Sequence, residues 1–271
     1  MSGYHVELHH YLLLAGVGVL VGFVNVMAGG GSLLSLPVMI FLGFPPAMAN
    51  GTNRVALIAQ NVTAVASFRR LGFSDWRLSA SLGLCAIPGA IAGAVFAVRI
   101  DPLLFKQILA VVMIGVMVVT LWRPKRPAPE TASTDERGSD EAAPPEDEAA
   151  PPDRRRLVLA HVAMLGVGLY GGFIQAGVGF ILMAVLRCLL RLDLVRVNMH
   201  KVFVVGIYMV PSLVVFAALG QVRWIAGGVL AIGAATGALL ATRLQAKKGE
   251  GPVRVVFALA VVAMAVKLVL D

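Results

Sequence analysis

Seven long apolar stretches constrain the fold of this chain more than any other feature of its sequence. They cover residues 11–27, 78–98, 103–122, 157–174, 202–219, 225–242 and 253–270. Each has close to the length that a helix needs to cross roughly 30 Å of hydrocarbon. The chain of 271 residues is 58% hydrophobic and only 14% charged, too apolar for one water-soluble core. The sequence therefore predicts an all-α integral membrane protein.

An acidic, proline-rich stretch divides the chain into two hydrophobic halves. Residues 123–156 contain nine of the fifteen Asp and Glu residues, a composition that predicts a disordered linker. We expect a first transmembrane repeat over residues 1–122 and a second over residues 157–271.

The two halves carry matching landmarks in the same order. The first half contains Gly18-x-x-x-Gly22-Phe23-x-Asn25, followed by Ala28-Gly29-Gly30-Gly31. The second half contains the matching Gly168-x-x-x-Gly172-Phe173-x-Gln175, followed by Ala176-Gly177-Val178-Gly179. Further along, the first half has Gly72-x-x-x-Trp76 where the second has Gly220-x-x-x-Trp224. The first half then has Gly89-x-x-x-Gly93 before Arg99, and the second has Gly233-x-x-x-Gly237 before Arg243. Glycine pairs alone are general helix-packing devices, so the tryptophan and arginine matches carry added weight. The pattern predicts two repeats of about five transmembrane or re-entrant helices each, 8–10 membrane segments in total.

Basic clusters at both ends of the linker predict its side of the membrane. Arg123, Lys125 and Arg126 precede it and a triple arginine at 154–156 ends it, which places the linker in the cytoplasm. Five segments per half then put both termini outside and make the repeats inverted. Inverted repeats with broken helices are typical of secondary transporters. The apolar segments 33–42, 55–68 and 180–190 are short, and we expect broken, tilted or re-entrant helices there.

Two glycine-rich breaks are candidate anion-binding positions. A helix that begins at such a break presents unpaired N–H groups and a positive dipole end, and missing side chains let a ligand approach. The alternative is that the glycines only allow helices to cross closely. The candidates are Asn25, Gly29, Gly30, Gly31 and Ser32 in the first half and Gln175, Gly177 and Gly179 in the second.

Each half also contains a polar run that ends in a cation. The cations, Arg54 and Lys201, each precede an apolar segment, so they either bind or gate an anion or anchor a helix by reaching water. The candidates in these runs are Thr52, Asn53 and Arg54, and then Asn198, His200 and Lys201.

Carboxylates outside the linker lie only at the termini and in predicted loops. They are Glu7, Asp75, Asp101, Asp193, Glu250 and Asp271. Coupling to protons or sodium through a mid-membrane carboxylate is therefore poorly supported, and His200 is the titratable candidate near the proposed site. An inside-negative potential favours export of a monovalent anion by about 2.3 kcal/mol per 100 mV, so we expect potential-driven efflux.

Other chemistries are disfavoured by the pattern. The net charge of +8 comes from clusters between apolar segments without an aromatic-interleaved patch, which argues against nucleic acid. The GxGxxG match from Gly166 to Gly171 follows no strand, and no serine-nucleophile elbow is present. Cys85 and Cys188 lie apart in apolar segments, and the histidines near the N-terminus have no partnering cluster. We expect no catalytic residues, metal or cofactor, so the chain is not predicted to be an enzyme.

The first half resembles the sulfite exporter TauE/SafE family. The resemblance rests on the string from Gly22 to Pro37, on Gly43-Phe44-Pro45-Pro46 and on Gly51-Thr52-Asn53-Arg54; Gly172-Phe173, Gly177-x-Gly179 and Asn198-x-x-Lys201 resemble the second repeat. It implies a permease of the bacterial inner membrane for sulfite, sulfoacetate or related organosulfur anions. The chain differs from the family pattern at Asn25, where an acidic residue is common, and at Ser32, Gln175 and Val178. Asn25 removes a possible proton carrier, which agrees with potential-driven efflux.

These observations together predict a permease or exporter of small anions, working by alternating access at a site between the repeats. Sulfite or a small organosulfonate such as sulfoacetate is the expected substrate, and the lipid bilayer is the other partner. The alternatives are another small anion or ion moving inward, including a metal or organic cation, and a non-transporting scaffold whose acidic linker recruits partners. A polar cavity between the repeats favours transport, whereas apolar packing there favours a scaffold.

Overall fold

A computed structural model of the chain describes residues 8–28, 30–70, 75–122, 153–192 and 194–245. Every regular element within these ranges is an α-helix, which confirms the all-helical prediction there. The helices are α1 (Leu8–Ala28), α2 (Ser32–Phe41), α3 (Pro46–Arg70), α4 (Trp76–Arg99), α5 (Pro102–Trp122), α6 (Arg154–Phe173), α7 (Val178–Leu190), α8 (Leu194–Ala218) and α9 (Trp224–Gln245). Residues 123–152 of the predicted linker and the predicted segment 253–270 lie outside the described residues.

Five of the described helices, α1, α4, α6, α8 and α9, are long and apolar enough to cross a membrane. Helices α2 and α7 have 10 and 13 residues, so they extend only about 15 and 20 Å. The prediction of a short third segment is wrong, because the polar run after Pro46 and the apolar run to Phe68 form one helix of 25 residues. Its polar residues are tolerated because they face the protein interior.

Local sequence explains where several helices begin and end. The carboxylate of Asp101 accepts the N–H groups of Leu103 and Leu104 at 2.9 and 3.0 Å, and Pro102 occupies the first position of α5. Such a cap satisfies N–H groups that have no partner within the helix. Between α2 and α3 the chain turns at Gly43, whose φ of +87° favours glycine.

Helices α1 and α9 pack with their backbones in close contact through glycines. A side chain at Gly18 would meet the carbonyl oxygen of Leu230 at 2.5 Å, and one at Gly22 would meet the backbone of Ala234. From the other side, Gly233 faces the backbone of α1 in the same way. The glycine pairs of the sequence landmarks therefore serve close helix crossing here.

Helix α4 of the first half and helix α6 of the second half also cross with their backbones in close contact through glycines. A side chain at Gly168 would meet the backbone of Ala86, and one at Gly172 would meet that of Ala90. Gly89 faces the backbone of α6. Thus α1 of the first half packs on α9 of the second, and α6 of the second packs on α4 of the first.

Helices α3 and α8 lie at the centre of the described bundle. They pack on each other, while α3 also packs on α9 and α8 also packs on α4. Large apolar side chains on outer faces are exposed, among them Leu12, Val111 and Ile225. An apolar exterior around a partly polar centre is what a bilayer-embedded bundle requires.

Candidate functional site

The first break lies between α1 and α2. The side-chain oxygen of Asn25 accepts the N–H of Gly31 at 3.3 Å, and Gly30 and Gly31 are buried. A side chain at Gly31 would meet Cβ of Asn25 at 2.6 Å and the carbonyl of Val21. Gly31 has a right-handed helical conformation, so glycine is needed for the approach of α1 rather than for an unusual φ. Gly29 lies outside the described residues.

The N–H groups at the starts of the short helices are largely satisfied. In α2 the N–H groups of Leu33 and Leu34 donate at 3.0 Å to the carbonyls three residues earlier. In α7 the N–H of Phe180 donates at 3.0 Å to the carbonyl of Gly177. The expectation of unpaired N–H groups facing a ligand is wrong for these residues, because the preceding turns already supply the acceptors.

The second break, between α6 and α7, contains two residues in left-handed conformations. Gln175 has a φ of +59° and Gly177 a φ of +73°. Gly177 precedes the first residue of α7, and a side chain there would also meet Val116 of α5 at 2.8 Å. Gly179 is buried in the first turn of α7. The glycine at 177 therefore fits both the turn and the close contact with α5.

The two breaks meet in the interior of the bundle. The hydroxyl of Ser32, at the start of α2, donates to the carbonyl of Gln175 at 3.2 Å. The side-chain oxygen of Gln175 in turn accepts a hydrogen bond from the Tyr208 hydroxyl at 3.0 Å. Tyr170 donates to the carbonyl of Ala176. The structure thus brings together candidate residues that lie more than 140 positions apart in the sequence.

Arg54 is fully buried in the middle of the bundle. Its guanidinium donates to the carbonyls of Gly171 and Gly172, at 3.3 and 2.5 Å, where α6 ends. It also contacts Met209 and lies 4.5 Å from the ring centroid of Phe216. No carboxylate among the described residues contacts it. The interpretation of Arg54 as a cation that snorkels to water is therefore wrong, because its head group is enclosed.

Lys201 occupies the corresponding place in the second half. Its ammonium donates to the carbonyls of Asn25 and Val26, at 3.3 and 3.2 Å, where α1 ends, and to the side-chain oxygen of Asn198 at 2.8 Å. Only 3% of Lys201 is exposed, so it too is an interior cation. Each half thus provides a cation that caps the last turn of the first helix of the other half, a favourable position for positive charge.

The neighbours of the two cations differ in their contacts. The hydroxyl of Thr52 accepts the N–H of Arg223 at 2.9 Å and so fixes the start of α9. Asn50 accepts from Arg54 at 3.4 Å and donates to the carbonyl of Phe173 at 2.6 Å. Asn53 is fully buried, yet neither of its side-chain polar atoms has a hydrogen-bond partner within the described ranges.

His200 belongs to a polar group near the end of α3. Its Nδ1 lies 2.7 Å from the hydroxyl of Ser79, and its Nε2 lies 3.8 Å from the carboxylate of Asp75. Ser79 and Asp75 also line a cavity of 390 Å³. The remaining lining residues are Val65, Phe68, Arg69, Trp76, Met199 and Phe203. His200 therefore lies beside this cavity and not at the junction of the two breaks.

Three further buried polar side chains, Ser35, Gln60 and Ser212, were not predicted as site residues. Each is fully buried and lacks a hydrogen-bond partner for its side-chain polar atoms among the described residues. Leaving such a group unpaired costs about 1–3 kcal/mol, so each of the three is a candidate for contact with water or a ligand. Ser35 and Ser212 each stand within an apolar run, whereas Gln60 lies among other polar residues of α3.

The described carboxylates lie at helix starts, and none of them contacts Arg54. Asp75, Asp101 and Asp153 precede α4, α5 and α6, respectively. No group of three His, Cys, Asp or Glu residues that could hold a metal is found in the described part of the chain. The described centre thus combines two cations with neutral hydroxyl and amide groups, a set suited to attracting anions.

Apolar helices around this buried polar centre define a multi-pass membrane protein. The sequence profile of the family "Sulfite exporter TauE/SafE" matches residues 14–268. The chain belongs to this family of membrane transporters, which confirms the resemblance.

Curated relatives match along nearly the whole chain. A "Probable membrane transporter protein" of Haemophilus influenzae is 26% identical over 263 residues, covering 96% of this chain and 94% of the relative. The "Probable membrane transporter protein YfcA" of Escherichia coli K12 is 26% identical over 262 residues, covering 94% and 88%. The "Probable membrane transporter protein ORF9" of a Sinorhizobium species is 23% identical over 267 residues, covering 97% and 94%. No solved structure matches the chain.

Proposed function

We propose that this transporter exports a small anion, sulfite or a small organosulfonate such as sulfoacetate, through a site between its two halves. The observation that carries the proposal is the fully buried Arg54, which has no described carboxylate partner. A charge inside a membrane protein is costly and usually marks an ion or substrate pathway. The family profile, which is named for sulfite export, supports the choice of substrate.

Arg54 has a partner set that an anion can replace. Its present acceptors are neutral carbonyls and Asn50, and its Nε has no hydrogen-bond partner among the described groups. Hydrogen bonds between an ionised donor and an ionised acceptor are roughly twice as strong as neutral ones. An oxyanion that reaches Arg54 therefore competes favourably with the end of α6.

We further propose that the two halves are inverted repeats that exchange access to the site. The reciprocal capping of α6 by Arg54 and of α1 by Lys201 supports this proposal, as does the reciprocal packing of α1 on α9 and α6 on α4. Inverted repeats allow one site to open to either side by rocking of one half against the other. In this proposal the linker lies in the cytoplasm and both termini lie outside the bacterial inner membrane.

The test is anion flux in proteoliposomes containing sulfite, sulfoacetate, sulfate or chloride. We expect Arg54→Ala and Lys201→Ala to lower sulfite flux at least about tenfold, because each removes a charged hydrogen-bond donor. Arg54→Lys keeps the charge and retains part of the flux. Arg70→Ala, at the exposed end of α3, is the matched control and leaves flux unchanged. Thermal melting of each purified variant separates loss of function from loss of folding.

Different outcomes exclude different parts of the proposal. Unaltered flux in both alanine variants removes the two cations from the mechanism. Wild-type liposomes that move none of the four anions argue for one of the alternatives, inward movement of another ion or a scaffold.

An imposed membrane potential tests the driving force separately. A gain of about 2.3 kcal/mol per 100 mV for a monovalent ion predicts that sulfite flux rises steeply with potential. Flux that ignores the potential but follows a proton gradient refutes potential-driven efflux.

A further inference from the structure

Gln60 lies near the middle of the central helix α3 and is fully buried. Neither its side-chain oxygen nor its side-chain nitrogen has a hydrogen-bond partner among the described residues. Two unpaired groups at about 1–3 kcal/mol each are a substantial cost for one side chain. Lipid supplies no hydrogen bonds at this depth. The described residues therefore leave this amide open to a water or a ligand.

The adjacent residue shows that a buried amide can be satisfied at this position of α3. Asn61 is 2% exposed, and its side-chain nitrogen donates to the carbonyl of Leu57 at 2.8 Å. Gln60 and Asn61 thus share a helix turn and differ in whether the protein itself provides a partner. We call Gln60 an open amide, because its side chain has no hydrogen-bond partner among the described residues, and Asn61 a closed amide, because its side chain has one.

A second open amide lies on the same face of α3. Asn53 precedes Gln60 by seven residues, two helical turns or about 10 Å. Its two side-chain polar atoms are also unpartnered within the described residues, and it is adjacent to Arg54. Two open amides therefore extend from the level of Arg54 to the middle of the helix.

The same face of α3 continues towards the second cation. Ala64, one turn after Gln60, belongs to the apolar cluster that contains Val26. The carbonyl of Val26 accepts a hydrogen bond from Lys201. Along α3, Gln60 thus lies between the level of Arg54 and that of Lys201.

We propose that Gln60, together with Asn53, contacts the transported anion between the two cations and selects the singly charged, protonated form of an oxyanion. The inference rests on the proposed function and names the ionisation state of its substrate. Each amide offers one donor group and one acceptor oxygen. Hydrogen sulfite in its O–H form uses both, because it carries acceptor oxygens and a hydroxyl donor. The sulfite dianion has only acceptors and leaves the amide oxygens facing negative charge.

The charge of the substrate also favours selection of the singly charged form. The cost of moving an ion into a low-dielectric interior rises with the square of its charge, so a dianion costs about four times as much as a monoanion of equal size. The described titratable groups on α3 and on the helices that pack on it, α1, α2, α5, α8 and α9, are His9, His10, Tyr11, Arg54, Arg69, Arg70, Lys106, Arg196, His200, Lys201, Tyr208 and Arg243. The interior cations among them are Arg54 and Lys201.

The first part of the test compares Gln60→Met with Asn61→Leu in the full-length protein. We expect Gln60→Met to melt at the same or a higher temperature, because an apolar side chain of similar shape removes two unpaired groups. Its sulfite flux falls at least about tenfold, since the contact with the anion is lost. Asn61→Leu keeps its flux. A lower melting temperature for Gln60→Met, or flux equal to that of wild type, overturns the proposal.

The second part measures sulfite saturation curves at several pH values and one fixed potential, with protein-free liposomes as the background. Expressed as hydrogen sulfite, the half-saturating concentration stays constant across pH. Expressed as the dianion, it rises about tenfold per pH unit at every pH. The opposite pattern, a constant value in dianion concentration, overturns the selection of the protonated form.

The two parts separate this inference from the proposed function. If wild-type protein carries no sulfite, the proposed substrate fails. In that case a raised melting temperature of Gln60→Met still shows that the Gln60 amide has no protein partner, because melting requires no assumption about the substrate.

Discussion

Two glycines that are two positions apart in α6 respond differently to replacement by alanine. A side chain at Gly166 meets nothing within 4 Å, whereas one at Gly168 meets the carbonyl of Ala86 in α4. Both substitutions gain the same helix propensity, about 0.5–1 kcal/mol. Only Gly168→Ala forces two backbones apart, which costs about 1–3 kcal/mol. The free energies of unfolding of the two variants therefore differ by about 1–3 kcal/mol, with Gly166→Ala the more stable.

The first half contains the same pair. Gly16 faces open space, and Gly18 faces the carbonyl of Leu230 in α9. We expect Gly16→Ala to be more stable than Gly18→Ala by a similar amount. For a chain of this size, 1 kcal/mol corresponds to about 2–4 °C in melting temperature.

The assay is thermal melting of the purified variants in one detergent, followed by circular dichroism. Gly16→Ala and Gly166→Ala are the controls for helix propensity. Equal melting temperatures for all four variants refute the close approach of α1 to α9 and of α4 to α6. A difference in one half alone refutes the equivalence of the two crossings.

Three other contacts give further predictions. Tyr208→Phe removes the hydrogen bond to Gln175 and lowers stability by about 1 kcal/mol, and sulfite flux measured in parallel shows whether the second break must be held in place. Thr52→Val leaves the N–H of Arg223 without its acceptor and costs about 1–3 kcal/mol in a melting assay, whereas Thr52→Ser retains wild-type stability. Asp101→Ala removes the cap of α5 and lowers the melting temperature by about 2–4 °C, while Asp101→Asn does not.

The bounds of the long apolar stretches closely predicted where the outer helices begin and end. The stretch 78–98 became α4 (Trp76–Arg99), and the stretch 103–122 became α5 (Pro102–Trp122). The glycine break before Ser32 correctly marked the start of α2. These features are local, because hydrophobic length and turn chemistry depend on neighbouring residues.

The interior of the bundle was less predictable from the sequence. Residues 46–54 are polar and lack a hydrophobic run, yet they are helical because α6 and α8 supply partners for their side chains. Arg54 binds carbonyls more than 115 positions away, and Lys201 binds carbonyls about 175 positions away. Backbone acceptors carry no residue-type signal, so no spacing rule predicts such contacts. Gln60 was missed for a related reason, since an amide within a helix gives no motif by itself.

The exchange of caps between the halves makes each half a structural requirement of the other. Arg54 closes the end of α6, and Lys201 closes the end of α1, so separated fragments 1–122 and 157–271 would each expose helix-end carbonyls without their cation. In a membrane those carbonyls find no water to replace it. The two halves are therefore suited to assemble as mutually dependent fragments, even where no peptide bond connects them.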